Sequence, residues 1–421
     1  LPAFPTHPGP LHWTLPVLLA IAVFLPLISA PLLLDERVLF FEARKFIALD
    51  PLAPWQLPLG GSGSWRPLLS YVYWLDSGAP AWASHALNLG LYALLVAGLW
   101  RWLCCRLPRT AATVGAALFA AHGAHVANAG WVAGRADLLM TLAVVGALLA
   151  WEGRRGLLCV LAACAAVLFK ETGVVVVPLL ALLALADGEG LRRHGRLFAL
   201  VACAVLPLFG LSVSLAEVAP SYWPSPTSFD GGALLLLPAF ALELIAPLFR
   251  PIGLGYAMAD LLGALAALVL AAVFVTLARG CARRNTWLLG LGMAAISLLP
   301  VLHVLGNDGG QWYLLLPSLG ISLSWAALVG DGLPRGGLPR RAQWFALIAL
   351  FAVFSCWQSL QWRVASQRVE AVVSEARRVS AESGADAVQQ PPVQEPRQWP
   401  HMGPSFCCGL PYQVLEELPQ R

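Results

Sequence analysis

Long apolar runs, many close to twenty residues, recur along nearly the whole chain and are separated by short connections that carry arginine. A bilayer core about 30 Å thick takes about 20 apolar helical residues to cross, so the pattern points to a polytopic membrane protein. Composition agrees: of 421 residues, 58% are hydrophobic and 12% charged, with a mean hydropathy of +0.71. One water-soluble core cannot bury such a stock. A soluble enzyme, a disulfide-stapled secreted domain and a disordered chain are thereby excluded. The net charge of +4 is too small to point to nucleic acid, and none of the cysteines has CxxC metal spacing.

Runs bounded by charge predict helices at 13–34, 84–105, 110–126, 137–151, 156–169, 173–186, 197–217, 260–278, 286–305, 313–330 and 342–361. The first has no Lys or Arg before it and is too long for a signal-peptide core, so it is expected to be retained. Arginines gather in every second connection: Arg106 and Arg109, Arg154 and Arg155, Arg192, Arg193 and Arg196, Arg279, Arg283 and Arg284, then Arg335, Arg340 and Arg341. Positive charge marks the cytoplasmic side. The N-terminus is then expected inside, with 35–83, 122–136, 170–172, 218–259, 306–312 and everything after 362 outside. The stretch 232–255 is also apolar, but a full crossing there would put Arg279, Arg283 and Arg284 outside. Pro238, Pro247 and Pro251 mark it as a broken or re-entrant element that protein must cover. The expected class is an all-α polytopic membrane protein of about eleven spans with a long first outer loop. Residues 363–383 read as a polar helix and 384–421 as a Pro- and Gln-rich tail. The arginine-rich, lysine-poor composition fits a GC-rich bacterial genome and hence an inner membrane.

Charges that are not topology signals gather in the outer connections. Asp35-Glu36 follows the first run at the membrane edge, where adjacent carboxylates cost more than in water. The pair is either a helix-end anchor or a general base over a substrate at the bilayer face. The same loop holds Ser64-Trp65-Arg66-Pro67-Leu68-Leu69 and runs on to His85 and Asn88, which share a helical face at i, i+3 and read first as interhelical hydrogen bonders. His122 and His125 have the same spacing; an HxxH pair can ligate a metal, but no third ligand stands at a telling distance. Arg135 and Asp137 form either an interfacial ion pair or, in Arg135, a fixed fork for a phosphate. Lys170-Glu171 lies between two apolar helices in a chain whose only other lysine is Lys45. A compact point charge is expected to matter there, with Glu171 orienting it. The last cluster, Asn307-Asp308-Gly309-Gly310-Gln311-Trp312-Tyr313, joins a glycine turn to aromatics suited to an interfacial belt.

In this order the clusters resemble the GT-C superfamily of membrane glycosyltransferases. Within it the nearest likeness is to the transmembrane and tetratricopeptide-repeat-containing O-mannosyltransferases and their bacterial relatives. The acidic pair after the first helix is Asp35-Glu36, and the YRPL-type segment is Trp65-Arg66-Pro67-Leu68. The HLxN-like helix start runs from His85 to Asn88. The histidine motif supplies His122, His125, Trp131 and the run Gly134-Arg135-Ala136-Asp137-Leu138-Leu139. Lys170-Glu171 is the KE pair, and Gln311-Trp312-Tyr313 leads into Pro317-Ser318-Leu319-Gly320. Departures are Gly123 and Ala127 where the family has Pro and Glu, and Gln311-Trp312 in place of Glu-Arg. Residues 363–421 carry no tetratricopeptide pattern.

The resemblance implies a GT-C-type bundle that takes a polyprenyl-phosphate sugar from the membrane lipid at the outer face. The acceptor is a hydroxyl of a protein or glycoconjugate. On that implication Asp35 is the base, with Glu36 as its substitute or as an acceptor anchor. Lys170, Arg135 and Arg66 receive the donor phosphate. His85, Asn88, His122, His125, Glu171, Gln311 and Tyr313 hold substrate. No metal or cofactor is expected, because two fixed cations can neutralise a monophosphate leaving group. A transporter or flippase of a lipid-linked glycan is the competing class and would need polar residues near the bilayer midplane. An inactive GT-C-like scaffold is the third.

Overall fold

The computed structural model describes residues 11–58, 64–188, 190–218, 232–248, 257–302, 311–330 and 338–383, and among these the regular elements are helical. The chain opens with α1 (Leu11–Phe24), extended by a 3-10 turn over Leu25–Ser29. Then come α2 (Leu34–Leu49), α3 (Ala53–Gln56), α4 (Pro67–Asp76), α5 (Ala81–Leu103), α6 (Arg109–Ala120), the short α7 (Val126–Gly130) and α8 (Arg135–Glu152). A 3-10 turn at Glu171–Val175 joins α9 (Gly156–Phe169) to α10 (Val176–Ala186). Next are α11 (Gly190–Val218), α12 (Gly232–Ile245), α13 (Ala257–Arg279), α14 (Arg284–Leu298), α15 (Leu315–Val329) and α16 (Leu338–Ser383).

Among the described residues, six helical stretches are long and apolar enough to cross a bilayer: His12–Ser29, Ala81–Leu103, Val132–Glu152, His194–Leu215, Trp312–Val329 and Ala342–Ala371. Their large exposed side chains, such as Leu18, Leu200, Phe345 and Val353, suit an apolar solvent. Of the other expected spans, 260–278 falls within the 23-residue α13, and the rest form shorter helices. The run 110–126 is helical as α6 only to Ala120, a 12-residue helix, because the chain turns back through His122 and Gly123. At 1.5 Å per residue it is about 18 Å long. α12, 14 residues long, carries Pro238 within it and ends two residues before Pro247. The expected polar helix 363–383 is not separate. α16 runs 46 residues without a break, since no Gly or Pro interrupts it after Arg340.

The core forms where α8 packs along α9 and α5, while α1 lies against α5 and α6. The closest approach joins α14 to α15. A Cβ on Gly320 would stand 2.3 Å from the Gly290 carbonyl oxygen, so only bare backbone on both helices permits it.

Candidate functional site

Between α6 and α8 the chain passes through short 3-10 turns and the five-residue α7 and is almost entirely buried. Buried backbone amides and carbonyls need partners, and side chains from distant elements supply them. Tyr92 donates its hydroxyl to the Phe119 carbonyl (2.8 Å), Tyr73 to Ala133 (3.1 Å), and Ser355 to Ala121 (2.7 Å). Asn88 Nδ2 donates to the Trp131 carbonyl (2.9 Å), and from within the connection Asn128 Nδ2 donates outward to the Trp312 carbonyl (3.1 Å). Glu36, fully buried, accepts from the backbone N–H groups of Leu33 and Val132, and so ties the start of α2 to this connection.

Three cation–carboxylate pairs lie at the same end of the bundle. Arg135, the first residue of α8 and fully buried, sits 2.8 Å from Asp76 at the end of α4. Its Nε donates to Asn88 Oδ1 (2.7 Å) and its Nη2 to the Ser84 carbonyl (3.1 Å). Lys170, at the C-terminal end of α9, donates to both oxygens of Asp137 (2.7 and 2.8 Å) and lies 4.7 Å from the centre of the Tyr313 ring. Arg66, immediately before α4, grips Glu171 through Nε and Nη2 (2.9 and 2.7 Å). The turn carrying Lys170 and Glu171 depends on Gly173, where a Cβ would stand 2.4 Å from the Ala166 backbone. Burial pushes the Glu171 carboxyl up, but the charge and hydrogen bonds of Arg66, with help from Lys170, hold it down at about 2. Arg66 and Glu171 keep 17% and 31% of their side chains exposed; the other two pairs are buried.

The pairing differs from the sequence expectation in two places. Arg135 and Asp137 do not pair with each other, because they open one helix on different faces: Arg135 turns to α4 and α5, Asp137 to Lys170. Glu171 does not orient Lys170; Asp137 does so, and Glu171 serves Arg66. Asn88 bridges helix and connection as its helical face implied. His122 and His125 stack with ring centres 4.7 Å apart. His125 is held between Tyr92 (2.7 Å) and Ser318 (2.8 Å), and His122 meets the Leu244 carbonyl (3.0 Å). Trp312 packs against Trp131 with ring centres 5.0 Å apart. The side chains of Asp35 and Gln311, and all of Asn307–Gly310, lie outside the described residues. Sequence reasoning missed Asp76, whose one signal is an acid closing the otherwise apolar and aromatic helix that follows Arg66.

A groove of about 440 Å³ opens between the 3-10 turn after α1, the start of α5 and the later part of α16, lined by Ser29, Ala30, Pro31, Trp82, Gln367 and Glu370. Arg37 of α2 reaches Glu370 across 2.7 Å. His85, buried one turn into α5, lies against the carbonyls of Ala30 and Pro31. Arg66, Arg135 and Lys170 are not part of the groove wall. Fold and site together define an all-α protein of membrane-spanning character with a buried ionic network at one end. The chain matches no family model and no curated protein.

Proposed function

We propose that the chain is a GT-C-type glycosyltransferase that moves a sugar from a polyprenyl-phosphate donor to an acceptor hydroxyl at the periplasmic face of a bacterial inner membrane. One observation carries the reading: charged residues from motifs far apart in sequence, Glu36, Arg66, Arg135, Lys170 and Glu171, gather at one end of the bundle. Buried ion pairs are weak contributors to stability, and ionisable groups at membrane depth ordinarily serve function. The arginine-bearing connections at the opposite end would face the cytoplasm, with the N-terminus inside and the C-terminus outside.

In the proposed step the acceptor hydroxyl gives its proton to Asp35 and its oxygen bonds to the anomeric carbon. The bond from that carbon to the phosphate oxygen breaks, releasing polyprenyl phosphate with inverted sugar configuration. With Glu36 committed to the Leu33 and Val132 amides, Asp35 is the member of the acidic pair left for proton transfer. Arg66 is the most exposed of the three cations, which makes it the first contact for the donor phosphate, displacing Glu171. Lys170 and Arg135, held by Asp137 and Asp76, set the positive field behind it.

Incubation of the purified chain with polyprenyl-phosphohexoses should release free polyprenyl phosphate. Asp35→Asn should abolish the release and leave the melting temperature unchanged. Release at the wild-type rate by Asp35→Asn removes Asp35 from the mechanism. If no donor is cleaved while lipid-linked glycan crosses vesicles containing the chain, it is a flippase.

A further inference from the structure

The groove between α1, α5 and α16 has no role in the donor chemistry above, and its lining is chemically particular. Trp82, 61% exposed, offers an uncovered aromatic face. Ser29, Gln367 and Glu370 supply a hydroxyl, an amide and a carboxylate in the same wall. Gln367 and Glu370 are three apart on one helix and therefore share a face. The Glu370 carboxylate is fixed by Arg37, so the local charge is balanced and an anionic phosphate gains no net attraction there. The rest of the wall, Ile28, Ala30, Pro31 and Ala81, is apolar, and the Ser29 hydroxyl donates to the Pro26 carbonyl, so Gln367 and Glu370 are the main polar groups beside the ring. An aromatic face with hydrogen-bonding groups along one side suits a flat-faced polyol, whose C–H side stacks while its hydroxyls on that side are bonded. The volume falls in the range of small-ligand sites, about 300–1,000 Å³. The groove also borders the Pro31 end of the connection that leads to Asp35.

We infer that this groove binds the acceptor, and that the acceptor presents a neutral hexose, stacked on Trp82 and hydrogen-bonded by Gln367 and Glu370. The inference rests on the transferase reading and deepens it: the hydroxyl that is glycosylated belongs to a sugar already attached to a larger molecule. It also gives the polar residues near the end of the Ala342–Ala371 stretch a task, since Gln367 and Glu370 lie there.

The test uses the full chain in lipid nanodiscs and a panel of methyl hexosides, with binding followed by saturation-transfer difference NMR. At least one hexoside should bind, and inorganic phosphate should not compete. Trp82→Ala should weaken binding about tenfold, Trp82→Phe should restore part of it, and Glu370→Gln should weaken it severalfold. Trp82 is largely exposed, so its replacement leaves the core intact. Absence of hexoside binding, binding indifferent to Trp82→Ala, or displacement by phosphate overturns the inference. Donor cleavage by the wild-type chain is measured separately. Cleavage without hexoside binding removes the groove assignment alone. Hexoside binding without cleavage of any donor removes the transferase reading and leaves a sugar site.

Discussion

The two ends of the bundle carry ion pairs of nearly equal length in unequal surroundings. At the arginine-rich end, Arg106 donates to Glu152 (2.7 Å) and Asp187 (2.8 Å), and Asp187 remains 35% exposed. At the other end Lys170–Asp137 and Arg135–Asp76 have matching separations but are buried. Distance alone therefore says little about worth. An exposed pair gains about 0–1 kcal/mol because water screens it, whereas a buried pair carries a desolvation cost that its attraction only partly offsets. The first end needs no further explanation than topology and solubility. The second holds charges where an apolar pair would cost less, and this difference is what marks it as the working end.

The largest effect should follow from breaking a buried pair on one side. Asp137→Ala leaves the Lys170 ammonium buried without its carboxylate and should lower stability by about 3–5 kcal/mol, read as a drop in the detergent melting temperature. The double variant Asp137→Leu/Lys170→Met removes both charges and should recover most of that loss. Donor cleavage should stay abolished in both variants. Recovery of stability together with activity would make the pair a packing device and erase the functional difference between the ends.

A smaller effect is expected at Glu36. Its carboxylate accepts two backbone N–H groups, and hydrogen bonds to a charged group are worth about 1.5–3 kcal/mol each. Two bonds to one carboxylate are not additive, so Glu36→Ala should lower stability by about 2–4 kcal/mol, less than their sum of about 3–6, with faster amide hydrogen exchange at Val132. Glu36→Gln keeps one acceptor and should lose less. A melting temperature unchanged by Glu36→Ala would free this residue for the catalytic role assigned to Asp35.

Helices were legible in the sequence wherever an apolar run was long and clean. α5 and α8 lie within a few residues of the expected 84–105 and 137–151. Where the structure departs, the deciding contacts are non-local. Nothing in 110–126 announces that α6 stops at Ala120 and the chain continues as short buried turns, because the groups that make this affordable, Tyr92, Asn88 and Glu36, lie on other elements. The residue types of the ionic network were legible; their pairing was not. Neighbours in sequence, Arg135 with Asp137 and Lys170 with Glu171, looked like partners, but helix geometry turns the first two toward Asp76 and Lys170, and the extended backbone at Lys170 sends it and Glu171 toward Asp137 and Arg66.

Arg66–Glu171 stands at the same end as the buried pairs yet is as exposed as the Arg106 cluster, and it should respond to pH. Glu171 is depressed from 4.5 to about 2 in the folded chain, so the pair's contribution is fully present above the unfolded value and is lost as pH falls from about 4.5 through about 2. Wild-type melting temperature should therefore decline across that window by more than that of Glu171→Gln. At neutral pH the same variant should cost only about 1 kcal/mol, the upper range for a partly exposed pair. Parallel acid limbs for the two proteins would mean that Arg66 does not hold Glu171 ionised.

The smallest effect belongs to the arginine-rich end. Arg106→Gln removes a cation that touches two carboxylates, yet water reaches the cluster and the glutamine can still donate to one of them. The expected loss is below about 1 kcal/mol, shrinking further as salt is raised because exposed charges are screened. Donor cleavage should be untouched, since this cluster lies at the opposite end from Lys170 and Arg66. A loss of about 3 kcal/mol, insensitive to salt, would show that Arg106 behaves as the buried cations do, and accessibility would no longer separate this cluster from the Lys170–Asp137 and Arg135–Asp76 pairs.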